Sequence, residues 1–166
     1  MKDELDKKLC EKYPKIFKQR NWGMQETAMC WGFEHGDGWY NIIDTLCDNI
    51  QHHIDWKRKQ RLLALKYNRA LKAALAGDNT KLIKYHSPKG IANSYTLSRV
   101  EEDIAEATYR TVPEKQHQVV AVQVKEKFGT LRFYYDGGDD YISGLSAMAE
   151  SMSGRTCEVC GNMGLS

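Results

Sequence analysis

The chain has 166 residues, 42% of them hydrophobic and 28% charged, with three prolines, a balance that excludes disordered, collagen-like and membrane-embedded classes. No run approaches the roughly 18 consecutive apolar residues that cross a bilayer, and the opening MKDELDKKLCEKY is too charged for a secretory signal, so a soluble cytoplasmic protein is expected. The formal charge of +2 conceals an asymmetry: residues 1–50 carry −2, residues 51–100 carry +9 and residues 101–166 carry −5.

Leu5, Leu9 and Tyr13 recur at helical spacing, which predicts a short amphipathic helix stopped by Pro14, with Ile16 and Phe17 docking the connection. Between Asn21 and Phe33, the alternation of Met29, Trp31 and Phe33 with small residues predicts an extended segment. Gly36-Asp37-Gly38 is a turn signal, and Asp37 is the expected N-cap of a long helix. Its apolar stripe is Trp39, Ile42, Ile43, Leu46, Cys47, Ile50 and Ile54. Helical sequence continues through Leu62, Leu63, Tyr67, Ala70, Leu71, Ala74 and Leu75 to Gly77. Unbroken, the element would measure roughly 57 Å, so it either protrudes or breaks near Trp56–Gln60.

Residues 77–96 read as loop, with Gly77-Asp78-Asn79 and Ser87-Pro88-Lys89-Gly90 as turns. Ser98 and Glu101 have the spacing of a capping box for a helix carrying Val100, Ile104 and Ala107, which ends before Pro113. Val120, Val122 and Val124, then Leu131, Phe133 and Tyr135, alternate as the inner faces of an antiparallel hairpin that turns at Gly129. Asp139 or Asp140 caps a final helix whose buried face is predicted at Tyr141, Ile142, Leu145, Met148, Ala149 and Met152. The expected fold is therefore α+β: a long central helix with additional helices, and an antiparallel hairpin backed by a C-terminal helix. Residues 1–155 would form one domain, with a basic elaboration at about 56–117. Residues 156–166 would add a half zinc knuckle.

Five cysteines is an odd number, and Cys10, Cys30 and Cys47 stand alone, as reduced thiols do. Cys157 and Cys160 have the spacing of one half of a structural zinc site, with Gly161 allowing the tight turn. Zinc needs four ligands, and Cys30 and His35 are the candidates for the other two, although packing is the commoner role of such a cysteine. Asp44, Asp48, His52 and Asp55 share a helical stripe that a metal site or an ordinary solvated face would equally produce. Glu34, His35 and Asp37, between Trp31 and Trp39 and among glycines, could form a general acid/base group or simply a helix start flanked by aromatic rings. Lys57, Arg58, Lys59, Arg61, Lys66, Arg69 and Lys72 recur along one helix with few acidic neighbours, a pattern that attracts phosphate or acidic protein surfaces. Trp56, Tyr67 and Tyr85 could add stacking.

Three strings carry a resemblance: Trp31-Gly-Phe-Glu-His-Gly-Asp-Gly-Trp39-Tyr with Leu46-Cys47 beyond it; Val124-Lys-Glu-Lys-Phe-Gly129 leading into Leu131-Arg-Phe-Tyr; and Ala149-Glu-Ser-Met with Thr156-Cys-Glu-Val-Cys-Gly161. Together they resemble a family of small uncharacterised bacteriophage and prophage proteins, over about half of the chain. The resemblance implies a zinc-ribbon-like Cys/His tail and no transferable activity. His35 stands where relatives carry cysteine, and the second ligand pair is missing before Ser166, as expected of a truncated chain or of a half-site completed elsewhere. Residues 61–117 exceed the matching connection in those relatives. The expected function is a phage-encoded, non-catalytic accessory protein that binds a host macromolecule and interferes with host processes or defence. Its contact surface would be the basic helix with Trp31 and Trp39. The alternatives are a nucleic-acid-binding module with a zinc-ribbon tail and a small hydrolase using Glu34, His35 and Asp37.

Overall fold

Local capping and side-chain pattern place most of the elements. The computed structural model describes residues 1–87 and 92–164. Among these, the protein is α+β, with five α-helices and a three-stranded mixed sheet. Helix α1 (Asp3–Lys12) ends just before Pro14, and Leu9 and Tyr13 enter the core. Arg20 holds the buried Asp6 of this helix through Nε and Nη2 and donates Nη1 to the Cys30 carbonyl at 2.8 Å. This charge pair ties the chain entry to the segment that follows.

That segment is not extended as predicted. Ala28–Trp31 is a 3-10 turn capped by Thr27, whose hydroxyl accepts the Met29 amide. The Thr27 hydroxyl also lies beside Gln19 at 2.6 Å, and this local bonding outcompetes the strand that alternation alone suggested. Only Phe33–Glu34 is strand (β1), and it pairs in parallel with Val124–Lys125, a partnership between segments too far apart in sequence to be legible locally.

A 3-10 turn at Asp37–Trp39 leads into α2 (Tyr40–Leu75). Asp37 does not cap it. Its carboxylate accepts the Lys2 amide at 2.7 Å instead. Helix α2 does not break near Trp56–Gln60, because it contains neither glycine nor proline and its middle is rich in Lys, Arg, Gln and Leu. Its 36 residues span about 54 Å at about 1.5 Å per residue.

The chain forms two compact units, residues 1–55 with 116–166, and residues 56–115. Each takes its own stripe from α2. In the first, Trp39, Ile43, Leu46, Cys47, Ile50 and Ile54 are buried against the sheet and α1. The hairpin consists of β2 (Val120–Lys127) and β3 (Thr130–Asp136), antiparallel, turning at Phe128-Gly129 with both residues at positive φ. The register shifts between Ala121 and Gln123, so Val122 is an extra residue. The strict Val120/Val122/Val124 alternation is thereby corrected: Val120, Ala121 and Val124 are buried and Val122 is only half-buried. Helix α5 (Asp140–Ser153) starts at Asp139, whose carboxylate accepts the Ile142 amide. It buries Ile142, Ser146, Ala149 and Ser153, whereas Tyr141, Met148 and Met152, predicted to be buried, are exposed.

In the second unit, Tyr67, Ala70, Leu71 and Ala74 of α2 pack with Leu82 and Val100. Leu82 belongs to α3 (Thr80–His86), a helix within the stretch read as loop. The expected turn at 87–90 falls outside the described residues from Pro88 onward. Helix α4 (Ser94–Glu106) begins earlier than the Ser98/Glu101 box implied. Asn93 is the cap, accepting the Thr96 amide at 2.9 Å, and Ser98 lies inside the helix beside Glu102. Helices α3 and α4 are joined by His86 Nε2 and the buried Asp103 carboxylate, 2.7 Å apart. Ala107, with left-handed backbone, ends α4.

Candidate functional site

Lys57, Arg58, Lys59, Arg61, Lys66, Arg69 and Lys72 lie along α2 in the second unit. At 100° per residue these positions fan over the arc opposite the buried Ala64, Tyr67, Ala70, Leu71 and Ala74. Lys59, Lys66, Arg69 and Lys72 are exposed. Among the described residues, none of Lys57, Lys59, Lys66, Arg69 or Lys72 enters an ion pair. Ion pairs elsewhere among the described residues include those of Lys2, Lys7, Lys12, Arg20, His53, His86, Arg99 and Arg132. Arg61 turns inward within its unit and donates to the Pro113 carbonyl. From Lys57 to Lys72 the face runs about 22 Å.

The rings proposed for stacking do not all face solvent. Trp56 is half exposed, but Tyr67 is buried, and the Arg110 guanidinium lies 3.9 Å from its ring centroid. Arg110 also donates to the Tyr85 hydroxyl at 2.6 Å, and its backbone is clasped on both sides by the Asn68 side chain. Arg110 and Asn68 were not singled out in the sequence, since only the tertiary pairing reveals their role.

A second constellation forms where the C-terminal segment returns to the glycine turn. Gly38 donates its amide to the Glu158 carbonyl and Gly36 donates to the Glu158 carboxylate, both at 2.7 Å. A Cβ at Gly38 would lie 2.2 Å from the Cys157 carbonyl oxygen, so only glycine allows this approach. The segment folds into a knuckle of backbone hydrogen bonds alone: Gly161 N donates to Cys157 O at 2.9 Å, Cys157 N donates to Asn162 O at 2.8 Å, and Thr156 bridges Met163. The Cys160 amide, then the Val159 amide and the Cys160 thiol, lower the pKa of the Cys157 thiol from its ordinary value. Burial acts oppositely on Cys10, pushed up to about 12 with help from Asp6, and on Cys47, raised well above the ordinary thiol value.

The four zinc ligands suggested by the sequence are not brought together. The Cys30 thiol donates to the Thr27 carbonyl at 3.1 Å, and among the described residues no three His, Cys, Asp or Glu side chains converge as a metal site requires. A closed four-ligand zinc site therefore does not fit within them. The polar stripe on α2 is likewise dispersed: Asp44 takes the Lys12 ammonium and the Tyr13 hydroxyl, Asp55 takes Gln51, and Asp48 and His52 are exposed.

Glu34, His35 and Asp37 have three separate environments. Glu34 is exposed and accepts from Gln123; Asp37 is held below the usual carboxylate range by the Lys2 amide and then its ammonium. His35 is 6% exposed, with its Nδ1 2.7 Å from the Gly36 carbonyl. That contact requires a proton on Nδ1, which leaves the neutral ring's Nε2 as a buried acceptor with no partner among the described residues. Burial is the main cause that keeps the ring neutral. No pair among the three shares a proton. Of the flanking tryptophans, Trp31 is 63% exposed and Trp39 is buried. Trp39 thus leaves the predicted contact surface and becomes a core residue.

Among the described residues no helix is long and apolar enough to cross a membrane. No family model matches the chain, and neither a curated protein nor a solved structure matches it.

Proposed function

We propose that the protein is a non-catalytic accessory protein that binds an anionic host macromolecule through the cationic face of α2. The observation that carries this is the set Lys57, Lys59, Lys66, Arg69 and Lys72, which has no carboxylate partner among the described residues. A face meant only for solubility interleaves both signs. Here the like charges repel one another, and an approaching anionic surface relieves that repulsion while releasing counterions.

An acidic protein surface is favoured over nucleic acid. Tyr67 and Tyr85, which could have stacked on bases, are engaged by Arg110. The likeness of the three sequence strings to phage and prophage proteins supplies the setting, interference with host processes or defence. The dispersal of Glu34, His35 and Asp37 speaks against the hydrolase reading.

The test is recovery of tagged full-length protein from host bacterial cells, comparing the wild type with the triple variant Lys59→Glu, Lys66→Glu, Arg69→Glu. A protein partner held by the wild type through nuclease treatment and lost from the variant supports the reading. Equal recovery by both contradicts it, and loss of the partner on nuclease treatment replaces it with the nucleic-acid alternative.

A further inference from the structure

Helix α5 keeps an apolar face that the described residues leave uncovered. Tyr141, Met148 and Met152 are each more than half exposed, and Leu145 lies half-buried among them. At about 100° per residue the four fall within an arc of about 60°, turned away from the buried Ile142, Ser146, Ala149 and Ser153. Ile42, Thr45 and Asn49 of α2, from the part of that helix in the same unit, form the other wall of a groove beside Leu145, Met148 and Met152. We infer that this face pairs with its counterpart on a second copy of the chain, the two α5 helices running antiparallel about a two-fold axis.

The first support is the lack of charge. From Tyr141 to Gly154 the one charged residue is Glu150, which turns inward, accepts the Phe133 amide at 3.1 Å and lies beside Arg132. A helix face meant for water carries charged side chains. The centre of an interface is instead depleted in them and enriched in methionine and aromatic residues. A two-fold axis also sets the same patch against itself, so a charge near the axis would meet its like. The stripe on α5 has none.

The second support is the order of the stripe. The intervals from Tyr141 to Leu145, Met148 and Met152 are four, three and four, the seam spacing of paired helices, and they read the same in either direction. An antiparallel second copy therefore sets Tyr141 against Met152 and Leu145 against Met148, twice over. A thioether against an aromatic ring is a favourable contact. The Tyr141 ring is held ready for it by stacking on His53, with 4.3 Å between ring centroids.

The third support is the pair of charges at the ends. Asp140 opens α5 and Arg155 follows it, both exposed. The antiparallel arrangement brings Asp140 of each copy alongside the end that carries Arg155 of the other, whereas a parallel pair would set like charges together. With four apolar side chains from each copy, the contact is at the small end of specific interfaces, whose standard size is roughly 800 Å² per partner, so the dimer forms reversibly.

This pairing is independent of the cationic face of α2. The test is sedimentation velocity of the full chain from about 5 to about 500 µM, a range that brackets a micromolar equilibrium, in reducing buffer so that the exposed Cys160 forms no bond between molecules. The expected result is one monomer–dimer equilibrium. Met148→Lys puts a cation on the stripe and should weaken dimerisation at least about tenfold, whereas Ser143→Lys, exposed on the opposite side of α5, should leave it unchanged. Asp140→Lys and Arg155→Asp should each weaken it and together restore it, a reciprocal rescue that a folding defect does not produce. Circular dichroism verifies that every variant is folded. A monomer at every concentration would leave the face to a foreign helix and overturn the inference. So would a dimer that Met148→Lys leaves intact, one that Ser143→Lys disrupts equally, or a double charge variant that restores nothing.

Discussion

The indole Nε1 of Trp39 donates to the carbonyl oxygen of Thr156 at 2.9 Å, so a ring only 1% exposed at the start of the long helix also holds the C-terminal knuckle. The same side chain serves as core and clamp. Its aromatic neighbour His35 lies 5.6 Å away between ring centroids.

Trp39→Phe keeps an aromatic ring in the core but leaves the Thr156 carbonyl without that donor. The expected loss of stability is about 1–3 kcal/mol, measured by urea unfolding. Hydrogen exchange should quicken at the amides of Cys157 and Gly161, which close the knuckle, more than at the hairpin amides.

Two glycine replacements should act in opposite directions. Gly38→Ala drives a methyl group into Cys157 O, Gly161 N and Glu158 O, all of them backbone atoms that cannot step aside. The knuckle should detach and the melting temperature fall. Gly144→Ala, within α5 and with open space around the new carbon, should stabilise by about 0.5–1 kcal/mol. Thermal denaturation of the two variants checks both signs.

The difference between these glycines marks what could be read in advance. The hairpin turn at Gly129 and a helix cap at Asp139 or Asp140 depend on residues a few positions apart, and both were legible, with the structure choosing Asp139. The positive charge of residues 57–72 can be counted directly from the sequence, because a formal charge needs no partner to be recognised. Short-range pattern misled wherever a distant group competed. Asp37 had the right position for an N-cap, but the Lys2 amide took its carboxylate. Val122 fitted the alternation, but a bulge set it aside. Helix α3 was hidden because Asp78-Asn79 signals a turn and a helix start equally well, and only burial of Leu82 against α2 and α4 decides. The catalytic reading of Glu34, His35 and Asp37 rested on adjacency in sequence, whereas strand pairing and burial send the three side chains apart.

His35 gives a pH dependence of definite sign. Burial lowers its pKa from the ordinary 6.5, so over the interval below 6.5 the unfolded chain binds the proton that the folded one refuses. The stability owed to the neutral ring is complete above 6.5 and is lost as pH falls through the folded value. Urea midpoints between pH 8 and pH 5 should decline in the wild type and decline less in His35→Phe. Parallel declines would assign the effect to other groups.

The central claim is that Lys57, Lys59, Lys66, Arg69 and Lys72 of α2 draw in an anionic surface, and fluorescence anisotropy over a salt series measures it directly. The titrant is the full chain, and the labelled probes are poly-glutamate of defined length and a short DNA duplex. The account predicts binding at low salt that weakens steeply as salt rises, with the triple variant Lys59→Glu, Lys66→Glu, Arg69→Glu losing most of its affinity while keeping its fold. Failure to bind either probe at low salt, or binding that the triple variant leaves unchanged, would contradict it.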